Sequence, residues 1–314
     1  MKTLTLGSTG EQVSALCLGA MFYGSAVAQD LSFRLLDQYV DAGGSFIDSA
    51  NIYAWWVPGF RGGESETLLG AWMKARQNRA RLFLASKVGF GYGDVPVGLT
   101  AQLIISECEK SLRQMGVDTI DLYYAHVDDR STTMHETLEA FSRLVQQGKV
   151  RHIGASNFRA WRLEEAEKLS RTHGLVSYQC VQQRYTYLQP RPGTGFGPQV
   201  AANEDLLDYC RNHAVTLLAY SPLLAGAYTR AEKSLGAQYN GEDNQQRLAA
   251  LRAVADELHA SPNQVILAWM LQSSPLVLPV FSASKPEQMQ EDLAVLDLAL
   301  SADQMKRLNE AGTL

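Results

Sequence analysis

No uninterrupted apolar run in this 314-residue chain approaches the ~20 residues that cross a bilayer. The opening MKTLTLGSTGEQ also lacks the apolar core of about 7 to 15 residues that marks a secretory signal. A cytoplasmic protein with no membrane partner is therefore expected. Positive charge is scarce: 28 Lys and Arg face 33 Asp and Glu, mixed along the chain for a net charge of −5. That leaves no basic stripe to neutralise phosphates, so nucleic acid is not expected as a partner. Four cysteines, Cys17, Cys108, Cys180 and Cys210, are too far apart for a CxxC pair or a disulfide framework. His135, His152, His173, His213 and His259 show no metal-ligand spacing, and no metal is expected. Charged residues are only 19%, and Gly and Pro (25 and 10) are near their ordinary share, which excludes collagen, low complexity and disorder.

What the chain does have is alternation. Eight short apolar or β-branched runs are separated by longer stretches of helical period, with no composition shift that would mark a linker. The strand candidates are 15–20, 45–48, 82–87, 119–125, 150–156, 176–181, 215–219 and 276–281. Most are continuously apolar, as suits a parallel sheet covered on both faces. Helices are expected over 31–41, 64–76, 100–115, 134–147, 160–172, 203–212, 243–272 and 286–296. Thr100 is placed to cap its helix, and Ser261-Pro262 puts proline in a first turn where its missing N–H costs nothing. Leu4–Leu6 and Gln12–Val13 flank Gly7–Gly10, a hairpin placed to plug the floor of a barrel. These features predict an α/β fold, a (β/α)8 TIM barrel with a short N-terminal β-hairpin closing its bottom, as one domain over residues 1–314.

An open doubly wound sheet would want a G-x-G-x-x-G turn after an early strand, and none is present. The clusters Gly89-Phe90-Gly91-Tyr92-Gly93 and Gly193-Thr194-Gly195-Phe196-Gly197 have the wrong spacing and read as loops. Walker, H-E-x-x-H and G-x-S-x-G motifs are absent too.

In such a barrel, chemistry sits where strands end at the C-terminal rim. Asp48 ends the second strand, Tyr53 follows in its loop, Lys87 ends the third, and His126 closes the fourth. Taken singly, each has a structural reading: a capping Asp, a loop aromatic, a solvated Lys, a hydrogen-bonded His. Together they suit carbonyl reduction. An inward lysine needs a counter-charge, which Asp48 on the neighbouring strand supplies. A tyrosine beside that ammonium is expected to have its pKa drawn below ~10 and to serve as general acid. His126 would orient the substrate oxygen.

These residues also carry a resemblance. The stretches Gly44-Ser45-Phe46-Ile47-Asp48-Ser49-Ala50 with Tyr53, Gly63-Glu64-Ser65-Glu66 with Leu69-Gly70, and Ser86-Lys87 are similar to the aldo-keto reductase family. So are Gly116-Val117-Asp118-Thr119-Ile120-Asp121-Leu122-Tyr123 with His126, Gly148 through Phe158, and Tyr220-Ser221-Pro222-Leu223. The resemblance implies an NAD(P)-dependent oxidoreductase interconverting an aldehyde or ketone, such as a sugar or aromatic carbonyl, and its alcohol. It implies catalysis by Asp48, Tyr53, Lys87 and His126, and a cofactor bound without a Rossmann domain. By the same resemblance, Gly19, Met21 and Asp48 would line the cofactor, and Ser156, Asn157 and Gln179 would hold the nicotinamide carboxamide. Tyr220 would stack on the ring, and Ser221, Pro222, Leu223 and Gly226 would wrap the pyrophosphate.

Two departures stand out. The stretch resembling the adenine and 2′-phosphate site offers Lys285 as its cation, with Ser282, Ser284, Gln288 and Asp292, so NADP(H) is favoured by family while NAD(H) stays open. After Tyr53 the chain inserts Ala54-Trp55-Trp56-Val57-Pro58-Gly59-Phe60-Arg61-Gly62, placing Trp55 or Trp56 to wall the substrate site alongside Tyr53 and His126, or else on the barrel's outer shell. Tyr23, Phe90, Arg130 and Tyr187 are further rim candidates that read better as structural. A competing function is a cofactor-bound regulatory subunit resembling potassium channel β subunits. A Schiff-base isomerase or lyase at Lys87 would need that amine unpaired, and Asp48 argues against it. Oligomeric state, reaction direction and physiological substrate are not readable from the sequence.

Overall fold

The computed structural model describes residues 1–230 and 232–312. Strands β1 (Thr3–Thr5) and β2 (Gln12–Ser14) form an antiparallel hairpin. Eight parallel strands then close a barrel: β3 (Cys17–Gly19), β4 (Phe46–Asp48), β5 (Phe83–Val88), β6 (Ile120–Ala125), β7 (Val150–Ser156), β8 (Tyr178–Arg184), β9 (Thr216–Tyr220) and β10 (Val277–Phe281). Strand β10 returns to pair with β3, so the barrel has no free edge. The expected (β/α)8 barrel is the fold found.

Helices α1 (Gln29–Asp41), α2 (Glu64–Arg76), α3 (Ala101–Met115), α4 (Met134–Gln146), α5 (Ala160–His173) and α6 (Glu204–His213) follow strands β3 to β8 in turn. They bury one face on the sheet and leave the other in water, as their amphipathic spacing requires. The Thr100 side chain caps α3 by accepting from the Leu103 N–H. Residues 243–272, expected as one helix, form two: α7 (Glu242–Leu258) and α8 (Pro262–Leu271). His259 turns left-handed at φ 51°, and Ser261 and Gln264 build a capping box that starts a new helix. Helix α9 (Pro286–Leu293) is shorter than expected because a 3₁₀ turn takes over at Ala294. A further helix, α10 (Ala302–Glu310), went unread although Ser301 and Gln304 form another capping box. Among the described residues no helix is long and apolar enough to cross a membrane.

Two apolar layers hold the barrel. The larger lies between sheet and helices. The smaller fills the interior with Leu6, Phe46, Phe83, Leu122, Tyr124 and Leu218 among others. Leu6 comes from the hairpin and is fully buried, and Gly7 and Ser8 are hydrogen-bonded to Thr216 and Gln179, so the hairpin closes the floor. In β7, Gly154 is required by its neighbours: a Cβ there would lie 2.7 Å from the Tyr124 ring and 2.8 Å from Cys180 Sγ.

Candidate active site

Side chains alternate across a strand, so every second residue of a barrel strand points inward. Phe46, Ala85, Tyr124, Cys180 and Leu218 belong to the interior layer. Two residues further along each strand, the same inward direction yields Asp48, Lys87, His126, Gln182 and Tyr220. One parity therefore fills the core below and arms the rim above.

The structure brings Asp48, Tyr53, Lys87 and His126 together. Lys87 is wholly buried, and its Nζ donates to Asp48 Oδ2 at 2.5 Å, to the Ser49 carbonyl at 2.7 Å and to Tyr53 Oη at 2.7 Å. Three acceptors match the three N–H bonds of an ammonium. Tyr53 Oη donates to Asp48 Oδ2 at 3.3 Å, and Gln182 Nε2 donates to Asp48 Oδ1 at 2.9 Å. The His126 ring lies 6.3 Å from that of Tyr53, edge to face.

Electrostatics correct one expectation. The Tyr53 pKa is not drawn down: burial first, then the Asp48 charge and hydrogen bond, push it well above the ordinary phenol value. Burial lowers the Lys87 pKa while Asp48 opposes the shift. Burial and then the Lys87 charge hold His126 well below the usual histidine range, as a neutral imidazole. The site thus presents a protonated phenol, an ammonium on its oxygen and an uncharged imidazole.

Around this cluster lie the residues expected to receive a dinucleotide. Gly19 ends β3, Met21 lies just past it, and Ser156 and Asn157 end β7. The Asn157 amide is already engaged: Nδ2 donates to the His126 carbonyl and to Ser156 Oγ, while Oδ1 accepts from Tyr220 Oη and the Val200 N–H. Gln179 does not reach this rim. It stands at the floor, where its Oε1 accepts from Ser8. Sequence reading stopped the sixth strand at Val181 because the polar Gln182-Gln183-Arg184 follows, yet β8 runs to Arg184. The inward glutamine at the rim is Gln182, three residues later, and strand parity from Cys180 was the signal that could have found it.

Ser221 to Gly226 form a tight turn in which Ser221, Leu224 and Ala225 have φ of 56°, 46° and 55°. Asn157 at 64° and Ala54 at 77° also sit on rim loops. Among the described residues, the other non-glycine positions with positive φ, Gln77, Ala214 and His259, end helices. Backbone strain away from helix ends is therefore concentrated at the mouth, where strain gathers when a ligand must be met. The N–H groups of Leu224, Gly226 and Ala227 close on carbonyls inside this turn, which leaves fewer of them for an anion than the sequence suggested. Arg230, missed in the sequence, packs on Gly226 and donates to the Ala225 carbonyl, adding a cation beside the turn. Further round, Ser282, Ser284 and Lys285 are exposed at the start of α9, and Ser284 is hydrogen-bonded to Gln288. Asp292 is buried, and burial with the Glu291 charge pushes its carboxyl up to about 8.

Trp55 and Trp56 are 42% and 48% exposed. The Trp56 ring stands 6.2 Å from Tyr53, and Phe90 lies 4.6 Å from His126 on the other side. Trp55 leans on Tyr92 instead. Tyr23 and Tyr187 are structural: both are buried and donate to the carbonyls of Ala283 and Leu308. Arg130 is exposed and lies over Trp161.

Residues 15–313 match the model of the Aldo/keto reductase family. This chain belongs to that family. Curated relatives include an uncharacterized oxidoreductase, YrpG, of Bacillus subtilis, 30% identical over 99% of this chain and 95% of the relative. An aryl-alcohol dehydrogenase [NADP(+)] of Phanerodontia chrysosporium is 28% identical over 96% and 83%. Among solved structures, a thermostable aldo-keto reductase, Tm1743, in complex with the inhibitor epalrestat, superposes with a TM-score of 0.79. It is 29% identical, and the match covers 99% of this chain and 100% of that one.

Proposed function

We propose that this aldo/keto reductase is an NAD(P)H-dependent enzyme that reduces an aldehyde or ketone, with Tyr53 as proton donor. The observation that carries the reading is the buried Lys87 ammonium shared between Asp48 Oδ2 and Tyr53 Oη. A reduced nicotinamide dinucleotide, when bound, would supply the hydride to the carbonyl carbon. Ser156, Gln182 and Tyr220 fit the nicotinamide: a hydroxyl, an amide and an aromatic face. The Ser221–Gly226 turn with Arg230 fits the pyrophosphate. Asp292, a buried carboxyl with no hydrogen bond or ion pair among the described residues, fits the adenine edge, which offers both a donor and an acceptor.

The chain's own part is proton transfer and orientation. Tyr53 keeps its proton at neutral pH because burial and Asp48 disfavour the phenolate. When a carbonyl oxygen takes on negative charge beside it, the proton moves across, and the Lys87 N–H at 2.7 Å stabilises the oxygen left behind. Asp48 and the Ser49 carbonyl hold the ammonium in place, and neutral His126 can offer its ring N–H to the same substrate oxygen.

The substrate class is best read as an aromatic carbonyl compound. Trp56 and Phe90 flank the Tyr53–His126 pair and offer flat apolar walls to a planar ring. Relatives named as an aryl-alcohol dehydrogenase and norsolorinic acid reductases point the same way, and the former's NADP(+) supports NADP(H) here through Lys285. The test is NADPH oxidation with a panel of aryl and aliphatic aldehydes. Tyr53→Phe is expected to lower kcat by at least about 10³-fold while leaving NADPH binding, read by tryptophan fluorescence, within about two-fold of the parent. Turnover at the parental rate would refute Tyr53 as the acid.

A further inference from the structure

Behind the proposed acid, a buried polar cluster joins two rim loops to a helix that lines no part of the mouth. Asn51, three residues after Asp48 and two before Tyr53, is wholly buried. Its Nδ2 donates to Glu107 Oε2 at 2.7 Å, and its N–H reaches the Lys87 carbonyl at 3.4 Å. Its Oδ1 is buried without a partner, so the amide is held through its Nδ2. Glu107 sits on α3 and is 5% exposed. The same Oε2 accepts from Tyr92 Oη at 2.5 Å. Tyr92 belongs to the loop after β5, and its ring meets the edge of Trp55 at 6.5 Å. Lys110, one turn along α3, donates to Tyr92 Oη at 2.9 Å and lies 4.8 Å over its ring.

The insertion that carries Trp55 and Trp56 closes onto this cluster. Gly62, with φ 89°, lies so close that a Cβ would stand 2.7 Å from the Tyr92 ring and 3.2 Å from the Asn51 carbonyl. One carboxylate oxygen therefore receives a donor from the Tyr53 loop and another from the loop against which Trp55 rests. Neither loop can shift without leaving a buried carboxylate short of a partner, the costliest kind of unpaired group.

We propose that Glu107 is a positioning residue that locks the Tyr53 loop to the loop after β5, so that the acid and the insertion carrying Trp55 and Trp56 keep one fixed spacing. This rests on the reading of Tyr53 as the proton donor. Glu107 touches none of the reacting groups and acts through Asn51 and Tyr92. A displacement of about 1 Å at a reacting group costs on the order of a hundredfold in rate, and Asn51 is two residues from Tyr53.

The experiment combines kinetics with hydrogen exchange on the NADPH-bound enzyme. Glu107→Ala is expected to lower kcat for an aryl aldehyde by about 10- to 50-fold and to leave NADPH affinity unchanged. Amide exchange over 51–62 and 89–95 should rise by about ten-fold, with the barrel strands unaffected. Glu107→Gln keeps an acceptor oxygen and should recover kcat to within about three-fold of the parent. Asn51→Ala and Tyr92→Phe, combined, should be no worse than the poorer single variant, because both break the same lock. Unchanged exchange in both loops, strictly multiplicative losses in the double variant, or exchange rising uniformly across the barrel would each overturn the proposal. If Glu107→Ala does not fold, Asn51→Ala and Tyr92→Phe carry the same exchange readout. Should Tyr53→Phe keep its turnover, the acid assignment falls, while exchange still decides whether Glu107 couples the loops.

Discussion

The two ends of the rim are built differently. At the mouth, Asp48 receives Lys87, Tyr53 and Gln182, and Lys87 has all three N–H bonds engaged. At the far end, Asp292 is buried with no partner among the described residues, while Lys285 stands in solvent. The difference separates two kinds of work. Groups that must act within a fraction of an ångström are preorganised by the protein before any ligand arrives. Groups that only grip can be left incomplete, for the ligand itself to finish.

The contrast can be broken hardest at the mouth. Lys87→Met removes the cation that holds both oxygens, and kcat should fall by about 10³-fold, measured as NADPH oxidation. Thermal melting would show whether the barrel survives without it. If the rate barely moves, preorganisation at this end is not what drives the reaction.

At the adenine end the effect should appear in stability. The Asp292 carboxyl is raised from 3.8 to about 8 in the folded chain. Its stabilising contribution is therefore complete below the unfolded value and is lost as pH rises through about 8. Asp292→Asn should match the parent below about pH 4 and exceed it by on the order of 5 kcal/mol above pH 8, read by urea denaturation at both pH values. Equal pH slopes for the two proteins would mean that Asp292 is not the strained group it looks to be. The smallest effect belongs to Lys285→Ala, an exposed cation. NADPH should bind about three-fold more weakly and NADH unchanged, by fluorescence titration; equal losses for both would remove Lys285 from the 2′-phosphate.

The fold was legible because a parallel barrel writes itself as apolar runs alternating with amphipathic ones, and those runs need no knowledge of distant residues. Asp48, Lys87 and His126 were legible for a related reason: each is the polar residue on which an apolar run stops. Gln182 was not, because hydrophobicity ends at Val181 while the backbone pairing of β8 continues to Arg184. Strand ends facing a ligand are polar by necessity, so an apolar criterion trims them. The Tyr53 pKa went wrong in sign because the sequence shows the nearby lysine but not the burial that outweighs it. Glu107 gave no signal, since a glutamate inside α3 looks like any solvated helix face until tertiary contacts turn it inward.

The bond from Gln182 to Asp48 joins β8 to β4, which stand on opposite sides of the closed ring of eight strands. It works as a tie rod across a hoop. Mild heat or pressure that made the ring oval would stretch this link first, while each strand still held its immediate neighbours. Enzyme warmed just short of melting should therefore fall silent with its circular dichroism intact, and wake again on cooling.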